Sequence, residues 1–468
     1  MRSISRFTAR LNALQGALLV TAVSFVVAGP ASAQTFEQTL ISAYLNNPSL
    51  AASRASVRVT DEGVAQARSA QRPNVTLSAE AGLSTLDGFF DDEFRNNQSM
   101  TLSAGQTLYD GGAAIAGIES ARAGVEVARA QLSATEQTVL LDAVTAYSDV
   151  RRDTQFLALA ENNVLVIERE LQAARDRFEV GEATRTDVAQ AEARLAAARS
   201  NLIASEGALA RSIDAYSAAT SKPVTGLAPP PGLPALPAIE DEAQMIAQQN
   251  HPNIRAAREA VFASEFNLRS ARTGFSPTVS ASVSVSNTRV ETPAGSNITP
   301  KTSVGLSASV PLYSGGRNVS LLRQRQAQLE QSMANLQDAG RIIRQQVAAA
   351  WSQLDVSRAS ITSSREQITA ARVAFEGVQE EATLGARTML EVLDAEQDLL
   401  NAQSNLVSAE RDKYVAVYSL LSATGLLSVD QLGLDVKFYD PKENFDAVQR
   451  GPFFDGEASP LDRILGRF

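Results

Sequence analysis

Two hydrophobic periods alternate along this chain. From about 37 to 70 the apolar positions recur at helical spacing among Ala, Arg and Val, and Pro73 ends the run. The period then becomes two. Val75, Leu77, Ala79, Ala81 and Leu83 alternate with Thr76, Ser78, Glu80, Gly82 and Ser84. After a polar turn holding Asp87-Gly88 and Asp91-Asp92, Met100, Leu102, Ala104 and Leu108 alternate with Thr101, Ser103, Gly105 and Thr107. This pattern predicts a hairpin with strands at about 74–86 and 99–109, apolar on one face and small-polar on the other. Beyond Gly111-Gly112 a proline-free helical stretch reaches about Arg177, a rod of roughly 100 Å at about 1.5 Å per residue. Gly181 breaks it, and a further helix is predicted from about Thr186 to Ala219.

The whole pattern then returns 204 residues later. Asn46-Asn47-Pro48 recurs as Asn250-His251-Pro252, Leu108-Tyr109-Asp110-Gly111-Gly112 as Leu312-Tyr313-Ser314-Gly315-Gly316, and Ser200-Asn201-Leu202 as Ser404-Asn405-Leu406. Tyr147 aligns with Trp351, Gly181 with Gly385 and Val188 with Val392. The second hairpin is predicted at about 278–290 and 302–312, with Val279, Ala281, Val283 and Val285 facing one way and serines 280, 282, 284 and 286 the other. Each half is too long for a solenoid repeat. The predicted organisation is a first repeat over 34–221, a Pro-rich linker over 222–238, a second repeat over 239–429 and an unmatched tail over 430–468.

The last helix of each repeat keeps a seven-residue beat. Val188, Leu195, Leu202, Leu209 and Tyr216 form one row, with Ala191, Ala198, Ser205, Ser212 and Ala219 three positions on. The second copy has Val392, Leu399, Leu406 and Leu420 beside Ala395, Ala402, Ala409, Ala416 and Ala423, with Lys413 interrupting the larger row. Such a repeat imposes coiled-coil packing, and the alanine row calls for a closely approaching neighbour.

Composition narrows the compartment. Arg2, Arg6 and Arg10 precede an apolar run from Ala17 to Ala28 and an Ala31-Ser32-Ala33 site, so 1–33 reads as a cleaved signal peptide. Without its three arginines the chain has 39 basic against 52 acidic residues, a formal charge of −13. That balance repels nucleic acid. There are no cysteines, hence no disulfide, thiolate chemistry or lipidated N-terminal cysteine. No later stretch is apolar enough for a spanning helix.

Alternating ten-residue strands fit either a transmembrane β-barrel or hairpins covering a soluble core. In lipid, four strands cannot close, and open edges leave unpaired backbone groups. Two chains would give eight strands, a barrel filled by its own side chains, so a duct needs at least three chains and twelve strands.

The chain resembles the TolC family of outer-membrane efflux proteins over about Gln34 to Val429. The resemblance rests on Leu108-Tyr109-Asp110-Gly111-Gly112 and Pro311 to Gly316, on Arg177 to Gly181 and Leu384 to Thr388, and on the run Glu391 to Glu396. It implies an α+β membrane protein: a trimeric twelve-stranded outer-membrane β-barrel continuous with a long periplasmic α-helical coiled-coil barrel. Each chain would be an internal duplication of a helix–hairpin–long helix–helix unit. The implied protein is a homotrimer, an exit duct in the outer-membrane lipid. It would work with a periplasmic adaptor (membrane fusion) protein and an inner-membrane transporter such as an ABC or RND pump. Its task would be type I protein secretion and/or multidrug efflux, with no enzyme activity, cofactor or nucleic-acid partner.

The resemblance also assigns residues. Glu391 and Asp394 take the positions of an acidic gate constriction, where converging carboxylates would raise one another's pKa. Read without it, the same pair is a solvated acidic helix face. Arg387 matches a tip residue linking neighbouring helices, with Asp187 and Thr186 as its partners. Gly181 and Gly385 mark the turns where the adaptor would dock. Ala382 stands where the family pattern expects a latch aromatic, which implies a latch that is either weaker or moved to Glu381 or Thr383. His251 is the single histidine and reads as a helix-junction residue; Tyr147 and Trp351 read as packing residues. The competing classes are a structural coiled-coil envelope protein without transport and a periplasmic hydrolase. Against the second stands the lack of any nucleophile–base motif.

Overall fold

Helix caps set the outline. Thr35 and Gln38 form a reciprocal capping box that starts α1 (Phe36–Asn46), and the Asn47 side chain caps α2 (Pro48–Ser69), with Pro48 at its first position. Pro73 then turns the chain into β1 (Asn74–Asp87) and β2 (Asp92–Tyr109). Two long helices follow, α3 (Ala113–Glu179) and α4 (Arg185–Thr220). The second half runs α5 (Glu240–Asn250), α6 (Pro252–Arg272), β3 (Thr278–Thr292), β4 (Gly295–Ser309), α7 (Arg317–Thr383) and α8 (Met389–Thr424). A short α9 (Pro441–Arg450) closes the described chain. Helices α3 and α7 both have 67 residues, and α4 and α8 both have 36. The computed structural model describes residues 34–87, 92–292 and 295–450. The expected signal segment, 1–33, and the last part of the tail lie outside the described residues.

The four strands form one antiparallel sheet in the order β1-β2-β3-β4. The two hairpins are thus joined through β2 and β3. Strand ends differ from the sequence expectation. The β2 ladder extends back to Asp92. β4 begins at Gly295 and stops at Ser309 because its partner β3 begins at Thr278, just after Pro277, and offers nothing further to pair with.

Register sorts the faces. Val75 lies opposite Ala104, Ala104 opposite Val283, and Val283 opposite Val304; Leu77, Leu102 and Val285 make the next rung. The other face carries Thr76, Ser103, Ser284 and Ser303, and hydroxyl pairs link Thr76 to Ser103 at 2.8 Å and Ser284 to Ser303 at 2.7 Å. The apolar rungs occupy the half of the sheet nearest the helices. Toward the turns the strands carry Asn96, Asn97, Arg289, Glu291 and Asn297. Among the described residues no helix packs along the sheet, and most of its large apolar side chains stay exposed. The hairpins therefore do not cover a soluble core within this chain. Among the described residues no helix is long and apolar enough to cross a membrane.

The helices hold the two cores. The larger gathers Phe36, Leu40, Tyr147, Tyr216, Ile343, Leu354 and Leu420 where α1 and α5 pack on α3, α7 and α8. Phe36 meets Tyr147 edge-on at 5.3 Å between ring centroids. The linker is strapped across this core: Gln34 bridges to Leu227, and Tyr147 Oη donates to the Ala228 carbonyl. The tail is strapped too, through Tyr439 N–H to Tyr44 Oη at 3.1 Å and Asn444 Nδ2 to Asp61 Oδ2 at 2.8 Å. A second, narrower core toward the far end of the rods joins Val164, Ile167, Leu171 and Ala174 of α3 to Ala191, Leu195 and Ala198 of α4.

Candidate functional site

The end of the rods opposite the sheet is built from two matching turns. At the first, Gly181 adopts φ +83°, and Glu182 N–H donates back to the Arg177 carbonyl at 2.8 Å. At the second, Gly385 has φ +76°, and Ala386 N–H donates to the Glu381 carbonyl at 2.9 Å. Left-handed backbone favours glycine, so both turns are helix C-caps fixed by residue type. Val180 and Leu384 occupy equivalent places just before these glycines and are 70% and 84% exposed.

Each turn leads into a capped helix. Thr184 caps α4 with Asp187 as its reciprocal partner, the carboxylate accepting Thr184 N–H at 2.8 Å. Thr388 and Glu391 do the same for α8, again at 2.8 Å. Two of the expected tip residues, Asp187 and Glu391, are thus capping carboxylates. Thr186 is exposed on the first turn of α4.

Arg387 is the hub of the second turn. It donates to Glu381 Oε2 at 2.7 Å and to Glu391 Oε1 at 2.8 Å. Within the chain the expected Arg387–Asp187 tie is not formed, because each partner is already engaged, although both side chains line one cleft with Ala382, Arg177 and Thr388. Of the two alternatives for a displaced latch, Glu381 meets Arg387, whereas Thr383 Oγ1 donates back to the Glu380 carbonyl at 2.7 Å. The expected upward pKa shift at Glu391 is reversed in the isolated chain. The Thr388 backbone N–H, and then Arg387, hold the Glu391 carboxyl below the usual carboxylate range. Glu381, and then Glu391, push the Arg387 guanidinium up.

Asp394 points across the two halves. Arg194 of α4 donates to its Oδ1 at 2.5 Å, a link between residues 200 apart in sequence that no local pattern announces. Deeper in the bundle, Glu396 on α8 is 7% exposed, and its Oε2 has no hydrogen-bond partner. Burial, then repulsion from Glu170 on α3, pushes its carboxyl up to about 7. Neither Arg194 nor Glu396 is marked as a site residue by any pattern in the sequence. The capping boxes were legible as Thr-x-x-Asp and Thr-x-x-Glu.

His251 serves structure. Its Nδ1 accepts the Asn253 N–H at 3.1 Å as the cap of α6, and burial lowers its pKa to about 4. Among the described residues no cluster of His, Asp or Glu is arranged to hold a metal ion.

A mostly helical chain with two long antiparallel helix pairs and one exposed amphipathic sheet is the architecture found in outer-membrane channels. The model of the outer membrane efflux protein family matches residues 40–220 and 245–426, and the chain belongs to that family. It is 38% identical to the outer membrane efflux protein BepC of Brucella suis biovar 1, with 91% of this chain and 92% of BepC aligned. The outer membrane protein TolC of Vibrio cholerae is 26% identical, over 88% of this chain and 95% of that protein. Among solved structures, the outer-membrane channel OprN superposes with a TM-score of 0.73 at 22% identity, covering 83% of this chain and 89% of that one.

Proposed function

We propose that three copies of this chain form one passive exit duct, closed at the helical tip until an adaptor engages it. The observation that carries this reading is the sheet. It has four antiparallel strands with one apolar face, two open edges and no helix against it. Three such sheets joined edge to edge satisfy every edge and turn the apolar faces to lipid and the Ser/Thr faces to a water-filled lumen. The helices below would continue the wall as a tunnel. The chain reads as two copies of one unit, 34–221 and 239–429, and the equal lengths of α3 and α7 and of α4 and α8 support this.

In that assembly Glu391 and Asp394 would narrow the tip, with Arg387 and Arg194 as their counter-charges. Arg387, which meets Glu381 and Glu391 within one chain, would tie to Asp187 or Thr186 of an adjoining helix in the closed tip, and breaking such ties would let the helices realign outward. A periplasmic adaptor would dock on the turns at Gly181 and Gly385, where Val180 and Leu384 offer exposed apolar contacts. An inner-membrane transporter of ABC or RND type would supply the cargo, by type I protein secretion and/or multidrug efflux. The efflux name of BepC supports the second.

Planar-bilayer recording on purified wild type and on Glu391→Ala/Asp394→Ala tests this. The wild type is expected to show a small cation-preferring conductance blocked by multivalent cations. The double variant leaves Arg194 and part of Arg387 uncompensated, so the block should vanish. A wild type without channels contradicts the duct; unchanged block in the variant moves the constriction elsewhere.

A further inference from the structure

An acidic chain carries a concentration of arginine at one level of its fold. Just where the apolar rungs of the sheet end, Tyr109, Tyr313 and Phe275 stand exposed, Tyr313 by 88%. Aromatic side chains in such a place mark a membrane–water boundary. Immediately on the helical side, the last residues of α2, the link to β1 and the first turns of α3 enclose a cleft lined by Arg68, Arg72 and Arg122. Glu119 is the single acid in its lining and is ion-paired with Arg122 at 2.5 Å. Ile115 lies exposed in the same lining, next to the buried Ile118.

The second half repeats the arrangement in part, with two arginines and no acid, since Ser276 and Gln326 stand where the first half has Arg72 and Arg122. Arg272 ends α6 where Arg68 nears the end of α2, and Arg323 of α7 stands where α3 has Glu119. Val319, exposed, takes the place of Ile115. Both Arg272 and Arg323 are exposed.

We infer that this arginine cleft, with the exposed Arg272 and Arg323 at the matching level of the second half, binds the phosphate headgroups of anionic glycerophospholipids in the leaflet facing the helices, with Ile115 and Val319 against the first acyl carbons. The inference rests on the proposed spanning role of the sheet. Three features point to lipid and to no other partner. The level is continuous with the apolar band. Guanidinium forks match phosphate oxygens bidentately. The cleft also pairs cations with the exposed Ile115, which a soluble anion would not use. Arginine stems reach several ångströms, so even Arg122 and Arg323, farther along their helices, can extend toward the headgroup layer. Basic clefts beside spanning segments hold anionic headgroups in this way.

Native mass spectrometry of the full chain, purified in mild detergent, tests the inference. Phosphatidylglycerol and phosphatidylcholine of the same acyl chains are each added to wild type, to Arg68→Gln/Arg122→Gln/Arg272→Gln/Arg323→Gln, and to Arg175→Gln/Arg199→Gln near the tip as a control. Wild type and control are expected to retain phosphatidylglycerol over phosphatidylcholine, and the fourfold variant to retain it roughly tenfold less. Should the fourfold variant fail to fold, Arg272→Gln/Arg323→Gln alone, at two exposed positions, is expected to lower retention in the same direction. Equal retention of the two lipids, or variants that bind like wild type, overturns the inference while leaving the spanning sheet intact. A wild type that takes up neither detergent nor lipid overturns both.

Discussion

The tip residues do two jobs with one set of atoms. Asp187 and Glu391 close capping boxes; the Asp187 side chain also lines the cleft at the bottom of the rods, and the Glu391 carboxylate also holds Arg387. This dual use explains why residue roles were only half legible. The Thr-x-x-Asp and Thr-x-x-Glu spacings are local, so the caps can be read from sequence. The partners of Arg387 and Asp394 are set by how helices align, and the Arg194–Asp394 pair joins different repeats. His251 shows the local kind. Its twin Asn47 caps α2 through Ser49 N–H at 2.9 Å, so His251→Asn should melt like wild type. His251→Ala should lose about 1 kcal/mol by thermal denaturation, and equal melting of all three would remove the capping role.

Glu396 belongs to the same scale and sets a pH dependence. Its folded pKa, about 7, lies above the ordinary glutamate value, so the fold favours the protonated form. The stabilisation is complete below about pH 4.5 and is lost as pH rises through about 7. Glu396→Gln keeps the neutral shape. It should therefore remove a loss of up to about 3 kcal/mol per chain across that window, read as a flatter plot of denaturation midpoint against pH. An unchanged slope would mean that water reaches the carboxylate.

At the level of elements, period and punctuation carried most of the information. Pro73, Pro277, Gly181 and Gly385 bound the segments, and the two long rods follow from the absence of breakers. Pairing between the halves was not legible. The β2–β3 ladder joins strands nearly 200 residues apart, and an alternating strand does not name its partner. The tail was opaque for a similar reason: Tyr439 and Asn444 find α1 and α2 through hydrogen bonds to Tyr44, Arg54 and Asp61 with no repeat behind them. The alanine rows were legible as close contacts, and the structure places Ala191 against α3 and leaves Ala402 fully buried on α8. Ala191→Leu or Ala402→Leu should cost roughly 1–3 kcal/mol by overpacking. Asn401→Gln, at an exposed position on α8, should be neutral. Similar midpoints in chemical denaturation for all three would show that these rows tolerate larger side chains.

For the whole molecule, the isolated chain is incomplete in one specific way. Its helical cores are packed, and α1, α2, α4, α6 and α8 carry side-chain caps. Its sheet is bare on both faces and ends in the unpaired edges of β1 and β4. An exposed sheet of 14- to 18-residue strands would aggregate in water. In the proposed assembly lipid and two further copies would remove both problems at once, and the family to which the chain belongs consists of outer-membrane channels. The most direct measurement is the mass of the protein extracted from the outer membrane in mild detergent, after subtraction of bound detergent. Three chains per particle, stable until denaturation, is the expected result. A monomer that remains soluble without detergent would contradict the shared barrel.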